Sequence, residues 1–453
     1  MTPAADELCV FAVKSGEIGK RFDVRYNLPK PIENETIGSV SLGSLCLREA
    51  DYGISATAIE RTDKSQPKYI RITDFSDNGI EEKHTFTTVA DYLPKHVLND
   101  NDILFARSGA TVGKTYQHKK TLGLAVFAGY CIRFVIDPTK AIPEYVYWYT
   151  KTQKYAEWVR KSQRPSGQPN INKEEYKSLE VVLPSRETQT RLATEMSIAL
   201  KKYNEKLCKA DELLEGIDGF VSELIGLPSK NKVNKICFAI KYKNLDGVIS
   251  AKRYQSVSIN ENMAKIISYC NIIENKVNVK NLNEEIVDWI RIDDLSNKPW
   301  EIGEVRTLFA SEMEGSFFVV ETGDVLVARL GPTILNQKVV VVNETYRRTL
   351  ASAEFLVLRC KENCSPTALM WVIRTTYFKE LMYSKTRGST PSRYRLNRED
   401  MLNLKLPFLS TETQNFIVCE VKKRREKALT LKHEAETEWA NAKERFEKEL
   451  LGG

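Results

Sequence analysis

Ser108-Gly-Ala-Thr-Val-Gly113-Lys114-Thr115 follows the apolar run Asp102-Ile-Leu-Phe-Ala-Arg107 and ends in the Gly-Lys-Thr core of a phosphate-binding loop. That chemistry needs a glycine, four residues and then Gly-Lys-Thr, so that backbone N–H groups cradle a phosphate beside the lysine. Here Ser108 stands where the first glycine belongs, and Tyr116-Gln-His-Lys-Lys120 follows in place of an apolar helix. The pattern therefore argues against nucleotide hydrolysis. Two readings remain: a turn offering N–H groups and Lys114 to a nucleic-acid phosphate, or a plain glycine-rich hairpin turn.

Other reactive constellations are missing from the sequence. The four histidines, His84, His96, His118 and His433, are isolated, and none stands in metal-ligand spacing. Nine scattered cysteines include Cys360 and Cys364, which lack CxxC spacing; they read as reduced thiols with neither structural zinc nor a disulfide framework. There is no Gly-x-Ser-x-Gly elbow, no Gly-x-Gly fingerprint and no Asn-Pro-Pro-aromatic tetrad of an amino-methyltransferase. Asp293-Asp294 reads as a solvated turn, because adjacent strand residues point to opposite faces. Nothing here makes a positive case for an enzyme, and no catalytic or metal residue is assigned.

Loops suited to DNA are present. Lys161-Ser-Gln-Arg164-Pro-Ser166-Gly-Gln168-Pro-Asn170 mixes cations with amides and hydroxyls, and Arg387-Gly-Ser389-Thr-Pro-Ser-Arg393-Tyr394-Arg395 is more basic. Arginine can bind guanine bidentately, asparagine and glutamine can read adenine, and serine, threonine and lysine hold phosphates. The candidate contacts in the first half of the chain are Arg107, Ser108, Thr111, Lys114, Lys119, Lys120, Arg164, Ser166, Gln168 and Asn170. In the second half they are Arg329, Lys338, Arg347, Arg348, Arg387, Ser389, Arg393, Tyr394 and Arg395. Each alone is a candidate solvated surface charge; together they recur at matching points of a repeat.

That repeat organises the elements which must position them. Ser185-Arg-Glu-Thr-Gln189 returns as Ser410-Thr-Glu-Thr-Gln414, an offset of 225. Phe11-Ala-Val-Lys14 returns as Phe238-Ala-Ile-Lys241, and Arg25-Tyr26 as Arg253-Tyr254. Tyr69 to Phe75 matches Trp289 to Leu295, Asp102 to Arg107 matches Asp324 to Arg329, and Phe127 to Val135 matches Ser352 to Cys360. These alternate or run apolar and predict strands. Pro143 to Lys161 and Pro366 to Lys385 predict one amphipathic helix each, with proline in the first turn. The chain is a duplication before it is anything else.

A long charged helix follows each unit. Leu192, Met196, Ala199, Tyr203, Leu207, Ala210, Leu214, Ile217, Val221 and Leu224 step by threes and fours in the first. Val421, Ala428, Leu431, Ala435, Ala442 and Phe446 form a weaker seam in the second, interrupted by Arg424 and Glu438. Ser185 and Ser410 are the expected N-caps. Helices this polar need a partner. The simplest partner of each is the other; the alternative is that each folds back on its own unit. The expected class is α+β: two repeated mixed α/β domains separated by two long helices in an antiparallel coiled coil. The expected boundaries are 1–184, 185–226, 227–409 and 410–453.

Length and composition agree with such an architecture. The 453 residues suffice for two cores, and 42% hydrophobic with 28% charged residues fits a soluble protein. The net charge of +7 permits nucleic-acid binding without requiring it. No run approaches a membrane span. Met1-Thr-Pro-Ala-Ala-Asp-Glu lacks the features of a secretory signal, so the expected location is cytoplasmic.

With these residues in order, the chain resembles the specificity subunit of a type I restriction-modification system. The resemblance rests on Asp102 to Lys114, Gly167-Gln-Pro-Asn-Ile-Asn172, Leu183-Pro184, Glu187-Thr-Gln189 and the helix beyond, with degenerate second copies at Gly323 to Arg329, Leu406-Pro407 and Glu412-Thr-Gln414. It implies two target-recognition domains, each reading one half of a bipartite double-stranded DNA target, and an antiparallel helix pair that sets the unread spacer. It implies partners too: two modification (methyltransferase) subunits docked on the helices, then restriction (translocase and nuclease) subunits, with no membrane. The chain itself would be non-catalytic and without cofactor, S-adenosylmethionine, ATP and magnesium residing on the partners. The second copy departs from the pattern at Ser389 to Arg395. Other readings stay open at this point: the DNA-reading subunit of another multi-subunit or fused restriction-modification system, or a coiled-coil adaptor that binds no DNA.

Overall fold

A computed structural model describes residues 38–79, 85–163, 169–227, 263–295 and 301–450. The repeats at Phe11 to Lys14, Arg25-Tyr26, Phe238 to Lys241 and Arg253-Tyr254, and the candidates Arg164, Ser166 and Gln168, lie outside the described residues. The chain divides into two compact units, residues 1–206 with 433–453 and residues 207–432. The division runs through both long helices, so each helix gives one half to each unit.

Unit 1 is built on two four-stranded sheets. Its short strands are β1 (Ser39–Ser41), β2 (Asp51–Tyr52), β3 (Ile59–Glu60), β4 (Lys68–Ile70), β5 (Thr87–Thr88), β6 (Ile103–Ala106), β7 (Thr115–Gln117), β8 (Ala125–Phe127), β9 (Cys131–Phe134) and β10 (Glu180–Val182). The orders are β2-β9-β6-β7 and β3-β5-β4-β8, with β1-β10 as a separate pair. β6 is buried along its whole length, which explains its unbroken apolar sequence. Its two faces serve different cores: Ile103 and Phe105 pack with β9 and the helices, and Leu104 and Ala106 pack with the second sheet. That is the period-two alternation of a strand.

Unit 2 repeats this plan. Its strands are β11 (Met263–Lys265), β12 (Cys270–Ile272), β13 (Lys276–Asn278), β14 (Ile286–Ile290), β15 (Arg306–Phe309), β16 (Ser316–Val320), β17 (Val325–Ala328), β18 (Val339–Val341), β19 (Thr349–Ala351), β20 (Phe355–Cys360) and β21 (Lys405–Pro407). They order as β12-β20-β17-β18 and β13-β16-β19-β14-β15, plus the pair β11-β21. Among the described strands each unit has one parallel pair, β4 with β8 and β14 with β19, and its other strand pairs are antiparallel.

Three element boundaries read from the sequence need correction. Tyr69 to Phe75 is a strand only to Ile70. There the Asp74 carboxylate accepts the Arg71 N–H at 2.8 Å and pairs with its guanidinium at 3.0 Å, turning the chain. Arg291 and Asp294 make the same turn in unit 2, so Asp294 is a structural cap. The expected strand from Phe127 to Val135 is two strands, β8 and β9, separated at Ala128 to Tyr130. Pro143 to Lys161 is two helices, α1 (Pro143–Tyr149) and α2 (Gln153–Ser162). Thr152 interrupts them by accepting the Tyr155 N–H at 3.2 Å, an N-cap inside an apolar periodicity. After α3 (Lys173–Lys177) and the long α4 (Arg186–Leu224), unit 2 has the short α5 (Gly331–Leu335). It then breaks its helix at Thr375 into α6 (Pro366–Arg374) and α7 (Thr376–Ser384), followed by α8 (Arg398–Leu402) and the long α9 (Thr411–Leu450).

The two long helices run antiparallel within each unit. In unit 1, Arg191 pairs with Glu449, and Lys206 with Glu434 at 2.8 Å and Glu438 at 2.9 Å. Leu192, Met196, Ala442 and Phe446 are buried there, with Tyr203 and Ala199 partly so; both helices share this core with α1, and the second also meets it through Tyr145–Phe446 and Trp148–Trp439 ring contacts. In unit 2, Leu214, Ile217 and Val221 bury against Val421 and Ala428, with Leu431 partly buried. Ala435 is fully buried and Leu207 is half-buried. Each helix therefore packs on a globular unit as well as on its partner helix. Leu224 is a correction: it is 37% exposed. Gly226, at φ +67°, lets the Leu227 N–H return to the Ser222 carbonyl at 2.8 Å, so Leu227 covers the helix end instead. Arg424 breaks the apolar pattern without breaking the packing: its guanidinium lies 4.6 Å over the Phe220 ring and donates to the Gly216 carbonyl at 3.1 Å.

Candidate nucleic-acid interface

The Gly-Lys-Thr stretch is the turn of the β6–β7 hairpin. Four of its amides are bonded inside the protein. Gly109 N–H donates to the Pro169 carbonyl at 3.1 Å, Val112 to Gly109 at 3.1 Å, Gly113 to Ala106 at 3.0 Å and Lys114 to Thr111 at 2.9 Å. Gly113, at φ +87°, sits where a Cβ would come within 2.6 Å of Val159, so close packing requires that glycine. Lys114 pairs with Asp77 at 2.9 Å, and this holds the Asp77 carboxyl below the usual carboxylate range. Ser108 is 6% exposed and inside a backbone bridge. The turn is thus a packed hairpin in which the Gly109, Val112, Gly113 and Lys114 donors are already bonded within the fold and not available to a ligand.

What does assemble beside it is a pair of segments crossing at the end of β6. Ser108 bridges Asn170, and the Ile171 N–H donates to the Arg107 carbonyl at 2.9 Å. Asn172 then caps α3, accepting the Glu175 N–H at 2.9 Å, while Glu175 accepts the Asn172 N–H at 2.8 Å. Unit 2 makes the same crossing at the end of β17. Leu330 bridges Arg395, the Gly331 N–H donates to Tyr394 at 2.8 Å, and the Leu396 N–H donates to Arg329 at 2.9 Å. Asn397 caps α8 through the Asp400 N–H at 2.7 Å. The equivalent residues are therefore Arg107 and Arg329, Asn170 and Arg395, and Asn172 and Asn397. The last pair keeps the 225-residue offset of the helix signatures, a match hidden in sequence by the divergence around it.

Among the described residues, both arginines at these crossings have a buried Nε without a hydrogen-bond partner, as has the Thr111 hydroxyl. Arg107 lies 5.0 Å over the Tyr52 ring. Around Arg329 are Arg387, paired with Asp400 at 3.2 Å, and Arg395, paired with Glu354 at 3.0 Å. Ser389 and Arg393 are exposed, and Tyr394 packs 6.4 Å from Tyr383. Lys338 is half-buried, and its ammonium donates to the Leu295 carbonyl.

The remaining cations are elsewhere. His118 N–H donates to the Asp102 carbonyl, so Lys119 and Lys120 follow β7 at the opposite end of β6 from Arg107, about 13 Å away at 3.3 Å per residue. Lys119 is bound to Asn101 at 2.7 Å and Glu144 at 3.0 Å; Lys120 is exposed. Arg347 and Arg348 likewise lie between β18 and β19, at the far end of β17, paired with Asp288 at 3.5 Å and Glu285 at 2.8 Å. Sequence reasoning missed Tyr52, Tyr130 and Glu354, which line the crossings. Their signal is present only in three dimensions: Arg107 N–H donates to Tyr130 and Arg329 N–H to Glu354, both at 3.0 Å.

Residues 34–208 match the family model of the type I restriction modification DNA specificity domain. No curated protein matches the sequence. Among solved structures, a chain from a study of complex assembly and conformational transition of the type I R-M system has the same fold at TM-score 0.52 and 14% identity, covering 93% of this chain and 98% of that one. The HsdS subunit from Thermoanaerobacter tengcongensis gives TM-score 0.41 at 14% identity, covering 92% and 96% of the two chains. The type I restriction-modification S subunit from M. genitalium gives 0.45 at 13%, covering 93% and 98%. Residues 34–208 thus match the type I restriction modification DNA specificity domain, and the chain as a whole shares its fold with a chain of a type I R-M system.

Proposed function

We propose that this chain is the sequence-reading subunit of a type I restriction-modification complex. Each unit reads one half of a bipartite DNA target. The long helices set the unread spacer and dock two modification subunits, to which restriction subunits add. The chain does no chemistry itself: S-adenosylmethionine, ATP and magnesium are held by the partners, and the assembly works in the cytoplasm. The observation that carries this reading is the duplicated crossing at the ends of β6 and β17. The same arginine, the same backbone bridge and the same asparagine cap recur there within two otherwise divergent units. A duplicated surface on continuous helices of 39 and 40 residues is suited to two half-sites rather than one. At 1.5 Å per residue, each helix is about 60 Å long, enough to span a helical turn of DNA at about 34 Å.

The test is to co-express the chain with its methyltransferase partner and map methylated adenines across the host genome. One bipartite motif with a fixed gap is the expected result. Absence of any motif from an assembled complex overturns the reading. Duplex binding by that complex must also fall steeply with salt while keeping a sequence preference.

A further inference from the structure

One backbone position distinguishes the two crossings. It lies between the amide that holds residue 171 or 396 and the carbonyl of residue 169 or 394, and it bridges the residue after the β6 or β17 arginine in both units, Arg395 bridging Arg387 as well. In unit 1 it carries Asn170 and in unit 2 Arg395. The residue beside it, whose carbonyl receives the Arg107 or Arg329 N–H, is Tyr130 in unit 1 and Glu354 in unit 2. Scaffold and position are thus constant while the recognition chemistry changes.

The Arg395 guanidinium is braced on one edge. Its Nε lies 3.1 Å and 3.3 Å from the two Glu354 carboxylate oxygens, and Nη2 lies 3.0 Å from one of them. A guanidinium has five N–H donors in a rigid fork. With the Nε–Nη2 edge held, the Nη1–Nη2 edge keeps a parallel pair of donors, and Nη1 has no hydrogen bond among the described residues. The side chain is 43% exposed. A parallel donor pair is complementary to the O6 and N7 acceptors of guanine. Asn170, half-exposed, has no side-chain hydrogen bond among the described residues. Its carbonyl and amide offer the acceptor and donor that match N6 and N7 of adenine. Tyr130 beside it is 62% exposed and carries no charge to hold an arginine.

We propose that residues 170 and 395 each set the identity of one base pair, Asn170 selecting an adenine in one half-site and Arg395, positioned by Glu354, selecting a guanine in the other. The inference rests on the DNA-reading function proposed above. Glu354 is a positioning residue: it contacts no base and fixes the plane of the fork.

The experiment is methylome mapping of the full complex carrying Arg395→Ala, Asn170→Ala, Glu354→Ala or Glu354→Asp. Wild type must show a guanine in one half and an adenine in the other that depend on these residues. Arg395→Ala is expected to relax that one guanine by about 5- to 150-fold in preference, the range of a good bidentate contact, with the other half unchanged. Asn170→Ala is expected to relax one adenine in the opposite half. Glu354→Ala weakens the guanine preference without changing total methylation of the remaining motif, and Glu354→Asp restores part of it; a merely structural ion pair would shift total methylation instead. An intact bipartite motif with every base equally stringent in both alanine variants overturns the inference and leaves the function standing. No motif in wild type overturns both.

Discussion

Gln189 is the joint between the first long helix and its unit. The residue is 3% exposed. Its side-chain oxygen accepts the Ile142 N–H at 3.0 Å, just before α1, and its amide donates to the Pro184 carbonyl at 2.8 Å. Gln189→Leu leaves both backbone groups without their partner. At roughly 1–3 kcal/mol for each buried orphan, less the gain from an apolar side chain, unit 1 should lose about 2–3 kcal/mol. Gln189→Glu is the sharper probe. A protonated carboxyl can reproduce both bonds, whereas a carboxylate faces the Pro184 carbonyl with no proton to give. Burial raises the folded pKa of such a group above its unfolded value near ~4.3. The unfolded state then binds fewer protons than the folded state between those two values, so stability falls as pH rises through that window. The assay is hydrogen exchange of peptides covering residues 139–150 and 184–192, each compared with wild type at the same pH, together with urea midpoints. Protection near wild type at acid pH and lost at pH 8 is expected for Gln189→Glu. Equal protection at both values, or an unchanged midpoint for Gln189→Leu, would refute the joint.

Further outcomes follow from the same structure. Arg133 is 2% exposed and pairs with Asp51 at 2.6 Å and Asp102, itself 1% exposed, at 3.2 Å; Arg133→Met should cost unit 1 about 3–5 kcal/mol in urea unfolding. The unit 2 counterpart Arg359 is 35% exposed, and Arg359→Met should cost less, because water can reach the group. Lys151 donates to the Thr115 carbonyl at 3.0 Å, and burial of its ammonium, opposed by Asp77 and reinforced by Lys114, pushes its pKa down to about 7. The unfolded state then binds more protons between about pH 7 and its usual 10.5, so unit 1 gains stability as pH rises through that range; Lys151→Met should flatten the rise in unfolding midpoints. Arg393 is exposed and has no ion pair among the described residues; Arg393→Ala should lower the slope of log binding constant against log salt by about 0.9 with base preference unchanged. Removing one turn from both long helices should change the preferred spacer in a selection with randomised gaps, and an unchanged gap would count against the ruler.

Much of the architecture was legible from the sequence because it repeats local signals. The Ser185 and Ser410 hydroxyls cap their helices, accepting Thr188 N–H at 3.2 Å and Thr413 N–H at 3.1 Å, and both seams follow helical periodicity. Duplication, the long helices and the arginines closing β6 and β17 all rest on interactions within a few residues or on matching order along the chain. Periodicity failed where a single polar group overrode it. Thr152 and Thr375 split helices that read as continuous, and Asp74 and Asp294 ended strands early, since one capped N–H outweighs the next step of an apolar pattern.

What only tertiary structure decided is which chemical groups remain available. The Gly109 amide and the cations of Lys114, Lys119, Lys338, Arg347 and Arg348 look in sequence like phosphate ligands, and in the fold they are bound to protein groups from distant positions. The fold also separates Lys119 and Lys120 from Arg107 by the length of a strand, and sets Asn170 opposite Ser108 and Arg395 opposite Leu330. A residue's type fixes what it can bond; the partners that reach it first are set by strand register and hairpin closure, which join residues far apart in the chain.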